Sequence, residues 1–238
     1  MTRRVVPQLL LLARHAESEK NSRSFYSSTG GLEPLTPHGY SQAETLGDWV
    51  RALAITRSCR LQMVFHSTTT RASETARVIA SRNTAPLLPC AALDPLQSDG
   101  LSGLTASEAE KRFPRFAGQL KLYRAGLRSA YHVEWPGESI HELELRVSDF
   151  LMTHVLDNAI DGALMIVGHK SSLTCLMVQL LRAMKRYPED FYGYMDIPVS
   201  SLTAVTLPFS SESPILTNIE YLEVDASSTS SQFSGETA

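Results

Sequence analysis

The sequence predicts an α/β fold of three layers, in which helices sandwich a mainly parallel central sheet and a small cap is inserted between sheet units. Three observations carry this reading. Strand followed by helix recurs three times, from Gln8 to Ala13, from Gln62 to Phe65 and from Ala163 to Val167, the alternation that builds parallel sheets. The first of these strands is apolar on both alternating faces, as strands covered by helices on both sides are. Each strand also runs into chargeable residues, Arg14-His15, then His66 with Arg71 close behind, then His169. The carboxyl ends of strands are where open α/β sheets bind ligands.

The elements follow in order. After the first strand, Ser18 to Leu35 is polar and contains glycine, and reads as a loop. Thr36-Pro37 supplies an N-cap and a proline at the first helical position, opening a helix to about Leu53. Its Leu46, Trp49, Val50 and Leu53 recur at helical spacing and face the core. The second strand ends in His66-Ser67-Thr68-Thr69-Thr70, and a helix runs from Arg71 to about Ala80. Between Asp94 and about Ser139 the pattern changes to that of a cap. Thr105-Ala106-Ser107-Glu108 is a capping box for a short helix, followed by a basic and aromatic stretch that includes Lys111, Arg115, Tyr123, Arg124 and Tyr131. That stretch fits a solvated face and a substrate-facing patch equally well. A second capping box, Ser139-Ile140-His141-Glu142, opens a helix to about Leu156. The third strand passes through Gly168-His169-Lys170-Ser171-Ser172 into a helix ending near Met184, and Leu202 to Leu207 and Thr217 to Val224 read as edge strands. Residues 1–224 thus form one domain with a cap at about 94–139. The Ser- and Thr-rich stretch from 225 to 238 has little to bury and reads as a disordered tail.

Composition narrows the partners. The 238 residues carry a net charge of −3, with 43% hydrophobic and 20% charged residues, which fits a soluble globular domain. That charge argues against bulk electrostatic binding of nucleic acid or a membrane surface, so anion recognition must be local. Cys59, Cys90 and Cys175 are an odd set at wide spacing, which favours a reducing compartment and a cytoplasmic location. Arg3-Arg4 before Leu9 to Leu12 imitates a secretory signal, but the apolar run is short and lacks a cleavage site. No HExxH motif or Cys/His cluster indicates a metal, and Ser67 lacks a GxSxG elbow. His38, His66, His132, His141 and His154 have no such context and read as structural.

At the converging strand ends, Arg14 and Arg71 have the planar, multidentate donors that suit phosphate oxygens, and His15 and His169 complete a pocket. An imidazole with one nitrogen free can attack phosphorus and form a phosphohistidine that water then hydrolyses. No metal or cofactor is needed for that route. A carboxylic acid would protonate the leaving oxygen.

Arg14-His15-Ala16-Glu17 with Asn21, Leu35-Thr36-Pro37-His38-Gly39-Tyr40-Ser41-Gln42-Ala43, Ser67 to Ala76 around Arg71, and Gly168-His169 together resemble the motifs of the histidine phosphatase, or phosphoglycerate mutase-like, superfamily. Ala16 stands where the family usually has glycine. The resemblance implies that His15 is the nucleophile, that Arg14, Arg71 and His169 bind phosphate, and that Asn21 and Ser67 support the site. It also implies an acidic residue in a Leu-x-Glu segment, but the glutamate position here falls on Pro95, leaving Asp94 as the expected acid and Asp99 next. Glu138, in Pro136-Gly137-Glu138-Ser139, is expected to orient neighbouring groups. The function implied is metal-independent hydrolysis of a small phosphorylated metabolite, within the phosphatase branch. A phosphoglycerate mutase is the alternative, weakened by the lack of the tryptophan, paired-arginine and serine run that such mutases carry. A weakly active or non-catalytic phosphate-binding protein is the third reading.

Overall fold

The computed structural model describes residues 8–23, 25–26, 32–156, 162–183, 185–207 and 218–222. Strands β1 (Gln8–Arg14), β2 (Leu61–His66), β3 (Leu87–Pro89), β4 (Ala163–Gly168), β5 (Leu202–Leu207) and β6 (Asn218–Leu222) form one sheet in the order β3-β2-β4-β1-β5-β6. The pairings from β3 through β1 are parallel, and β5 and β6 are added antiparallel. The described α-helices are α1 (Glu19–Arg23), α2 (Pro37–Thr56), α3 (Thr70–Asn83), α4 (Ala106–Arg112), α5 (Pro114–Arg124), α6 (Ile140–Phe150) and α7 (Lys170–Ala183).

Alternation along β1 and β4 builds two cores. Leu9, Leu11, Ala13, Met165 and Val167 pack on one face with Leu46, Val50 and Leu53 of α2 and Ile79 of α3. Leu10, Leu12, Leu164 and Ile166 pack on the other face with α6, α7 and the cap residues Phe116, Leu120 and Tyr123. Burial on both faces is why these strands read as unbroken apolar runs. Trp49 is half-buried at the margin of the first core. No described helix is long and apolar enough to cross a membrane.

The structure departs from the sequence expectations in three places. The segment read as a loop from Ser18 to Leu35 contains α1 and a Ser18–Leu35 bridge. Strand β3 escaped notice because it is three residues long and ends in proline, which a sheet tolerates at an edge. The helix expected to reach Leu156 is α-helical only to Phe150 and continues as a π-helical turn, Leu151–Leu156. Both capping boxes form, at Thr105 and Ser139. The proposed tail, 225–238, lies outside the described residues.

Register sets up the site. Arg14 pairs with Gly168 and His66 with Val167, so β1, β2 and β4 end level with one another. The His15 N–H donates to the Gly168 carbonyl at 3.0 Å, and the Ser67 N–H to Val167 at 3.0 Å. His169 therefore leaves the sheet between His15 on one side and Ser67 on the other.

Candidate active site

His15 is buried, and its Nδ1 lies 2.8 Å from the Ala16 carbonyl oxygen. A carbonyl only accepts, so Nδ1 carries the proton and the lone pair of the neutral ring is on Nε2. Burial, then Arg14 and Arg71, hold its pKa well below the ordinary histidine value, which keeps the ring uncharged at neutral pH. The His169 ring packs against it with centroids 4.9 Å apart.

His169 is fixed from both ends. Its Nε2 is 2.8 Å from Ser67 Oγ and 3.1 Å from Thr69 Oγ1, and its Nδ1 is 3.5 Å from Arg71 Nη2. Ser67 Oγ donates in turn to Asp94 Oδ1 at 2.7 Å. A consistent assignment has Nε2–H donating to Ser67 and Nδ1 turned toward the guanidinium. Burial and then His15 and Arg71 push the His169 pKa well down.

Arg14 leaves β1 with Nη1 donating to the Ile197 carbonyl at 2.6 Å, while its Nε is buried with no hydrogen-bond partner among the described residues. Arg71, on the first turn of α3, is almost completely buried and ion-pairs with Glu33 at 2.8 Å. Burial brings Arg14 down to about 10 and also lowers Arg71. Two guanidiniums and two imidazoles that would each prefer a nearby negative charge describe an anion site.

The remaining expected residues divide into scaffold and site margin. Asp94 accepts from Ser67 Oγ, from the Thr68 N–H and from Thr68 Oγ1, each at 2.7 Å, and it does not line the cavity. The sequence points to Asp94 as the proton donor; here its three accepted bonds tie it to Ser67 and Thr68 and anchor the turn that holds His169. Asp99 is exposed and does not line the cavity either. Glu138 accepts from Arg146 Nε and Nη2 at 2.6 and 2.9 Å and from the Gln97 N–H at 3.0 Å, an orienting arrangement for the 91–98 loop. Asn21 Oδ1 accepts from the Ser18 N–H and hydroxyl at 3.1 and 2.8 Å, fixing the turn after His15 without lining the cavity. Among the described residues, no group of three or more His, Cys, Asp or Glu side chains is placed to hold a metal ion.

The cavity itself is about 250 Å³. Arg14, His15, Arg71 and His169 line it, together with Phe116, Leu120, Tyr123, Trp135, Tyr192 and Met195 among others. Lys20, which the sequence did not single out, also lines it, and burial followed by Arg71 and Arg14 brings its pKa down to about 8. Neither Lys20 nor Glu33 carried a local signal, because both reach the site only through the return of the chain after β1.

The comparisons with known proteins agree with this geometry. A model of the histidine phosphatase superfamily (branch 1) matches residues 10–210. The chain is 32% identical over 179 residues to a 2,3-bisphosphoglycerate-dependent phosphoglycerate mutase from Methylobacterium sp. (strain 4-46), covering 73% of this chain and 80% of that protein. It is 27% identical over 186 residues to a phosphoglycerate mutase from Schizosaccharomyces pombe, covering 76% and 82%. In fold it resembles a mycobacterial glucosyl-3-phosphoglycerate phosphatase solved with VO3, with a TM-score of 0.70 at 18% identity, over 91% of this chain and 99% of that one. A putative alpha-ribazole-5'-P phosphatase from Escherichia coli K-12 aligns with a TM-score of 0.68 at 18% identity, over 91% and 97%. With the family model spanning most of the chain, from β1 through β5, this protein belongs to branch 1 of the histidine phosphatase superfamily.

Proposed function

We propose that the protein is a phosphatase that hydrolyses a small phosphomonoester through a phosphohistidine on His15. In this reading Arg14, Arg71 and His169 hold the phosphoryl oxygens, and His15 Nε2 attacks phosphorus in line with the departing oxygen. Their positive charge stabilises the equatorial oxygens as the bond breaks. Water then attacks the phosphohistidine and returns His15 to its neutral form. Ser67, Thr69 and Asp94 keep the His169 ring in place through the bonds described above, and no step calls for a metal or cofactor.

The observation that favours hydrolysis over phosphoryl exchange between glycerate positions is the apolar share of the cavity lining. Phe116, Leu120, Trp135 and Met195 present apolar surface there, whereas every carbon of a phosphoglycerate bears a polar group. Any of those groups set against the apolar part of this lining, away from Arg124 and Lys170, would lose a hydrogen-bond partner at a cost of about 1–3 kcal/mol. A substrate with an apolar or aromatic portion beside its phosphate fits better.

The second reading, a mutase, draws on the curated relatives and on Arg124 and Lys170, which also line the cavity and suit a carboxylate. Two assays separate them. Phosphate release is measured across aryl, alkyl, sugar and glycerate phosphates, and interconversion of 2- and 3-phosphoglycerate is followed with 2,3-bisphosphoglycerate present. The phosphatase reading expects release, fastest from esters with an apolar group, and interconversion at background. Interconversion faster than release would establish the mutase instead.

A further inference from the structure

The phosphatase reading needs a proton for the leaving oxygen, and among the described residues no aspartate or glutamate lines the cavity. The carboxylates around it are already bonded: Asp94 to Ser67 and Thr68, Glu138 to Arg146, Glu33 to Arg71, and Asp196 to Lys170. Pro95 lines the wall at the sequence position where a glutamate was expected.

Lys20 is differently placed. It lines the same cavity as Arg14, His15, Arg71 and His169, and among the described residues nothing accepts a hydrogen bond or ion pair from its Nζ. Its backbone is held: the Glu19 N–H donates to Pro34 at 3.1 Å, the Asn21 N–H to Ser18 at 2.8 Å, and Ser18 bridges to Leu35. The charged and titratable groups around it are Arg14 and His15 after β1, Arg71 of α3, His169 after β4, and Glu33. Burial, followed by Arg71 and Arg14, makes the ammonium give up a proton more readily than an ordinary lysine, and Glu33 opposes this.

We propose that Lys20, resting on the phosphatase reading, is the general acid of this site in place of a carboxylic acid. As His15 Nε2 forms its bond to phosphorus and the phosphorus–oxygen ester bond breaks, the departing oxygen takes a proton from the Lys20 ammonium and leaves as an alcohol. The neutral amine then accepts a proton from the water that attacks phospho-His15, so phosphate is released and Lys20 is an ammonium again. Burial and the flanking arginines, which bring Lys20 down to about 8, suit it to both halves of this cycle near neutral pH.

The test compares wild type, Lys20→Met and Lys20→Arg on 4-nitrophenyl, phenyl and alkyl phosphates. Lys20→Met should lose about 10²–10⁴-fold in kcat on the alkyl ester and less than about 10-fold on the nitrophenyl ester, whose leaving group needs no proton. Lys20→Arg keeps the charge but not the acidity; it should hold KM near wild type and show the same alkyl-specific loss in kcat. In wild type, kcat/KM on the alkyl ester should fall above about pH 8, and Lys20→Arg should lack that limb. An equal loss on all three esters, a change confined to KM, or alkyl turnover restored by Lys20→Arg would overturn the assignment. Thermal stabilisation by inorganic phosphate checks that each variant is folded with its anion site intact. Wild type that releases phosphate from no ester and forms no phosphohistidine would refute the phosphatase reading, and the Lys20 assignment falls with it.

Discussion

At the scale of single residues, the site is a set of groups whose charge states are set by one another. Burial first, and then the neighbouring cations, hold His15 and His169 well below the ordinary histidine value and bring Lys20 down to about 8, while Glu33 pairs with Arg71. A phosphate dianion reverses that balance by favouring the charged form of every basic group it touches. Phosphate binding at pH 8 should therefore take up protons, onto Lys20 and onto His169 Nδ1. Calorimetric titration with inorganic phosphate in buffers of different ionisation enthalpy measures this directly; a binding heat independent of the buffer would contradict it. The sequence exposed Arg14, His15, Arg71 and His169 because each ends a strand or begins a helix inside a recognisable motif. It left the acid open because Asp94 and Pro95 are adjacent, and only the three-dimensional turn shows that Pro95 lines the cavity while Asp94 grips Ser67 and Thr68.

At the scale of elements, strand ends position the site and two loops brace it. The Arg146 guanidinium holds the loop before the cap, meeting Glu138 bidentately and donating to the Ala92 carbonyl at 2.6 Å and to Pro95 at 3.2 Å. Replacing Arg146 with Met leaves Glu138 and several carbonyls short of donors. Denaturant unfolding should show a loss of about 1–3 kcal/mol, and KM should rise more than kcat falls, since this loop lines the cavity through Pro95 and Leu96. Unchanged stability and KM would show that the loop is held by other means. The strands and long helices were readable because their apolar period follows from burial on one or two faces. Helix α1 was not, since five residues with no apolar period form there through contacts with Pro34 and Leu35 on the returning chain.

At the scale of the whole molecule, the ligand-free site carries a stability cost that an anion removes. His15 and His169 have folded pKa values below the unfolded value of about 6.5. Below that pH the unfolded chain binds more protons, so stability falls as the solution is acidified from about pH 6.5 toward the folded values. Lys20 acts in the same sense at higher pH: its disfavoured ammonium costs stability fully below about pH 8, and the cost fades between there and its unfolded value near 10.5. Inorganic phosphate at a hundred times its dissociation constant adds about 2.7 kcal/mol, which should raise the melting temperature by roughly 5–10 °C at pH 7. Lys20→Met should melt higher than wild type without phosphate and gain less from it; the opposite order would show that Lys20 is not a source of strain. The fold brings β1, β2 and β4 to one level, and in the proposed reading His15 Nε2 there attacks a phosphoryl group held by Arg14, Arg71 and His169. The most direct test of that claim is to mix the protein with an aryl phosphate, quench within the first turnovers under alkaline conditions that preserve phosphohistidine, and map the modified peptide by mass spectrometry. One phosphoryl group is expected on His15, absent from His15→Ala, whose phosphate release is at background. A phosphoryl group on another residue, or wild-type turnover by His15→Ala, would contradict it.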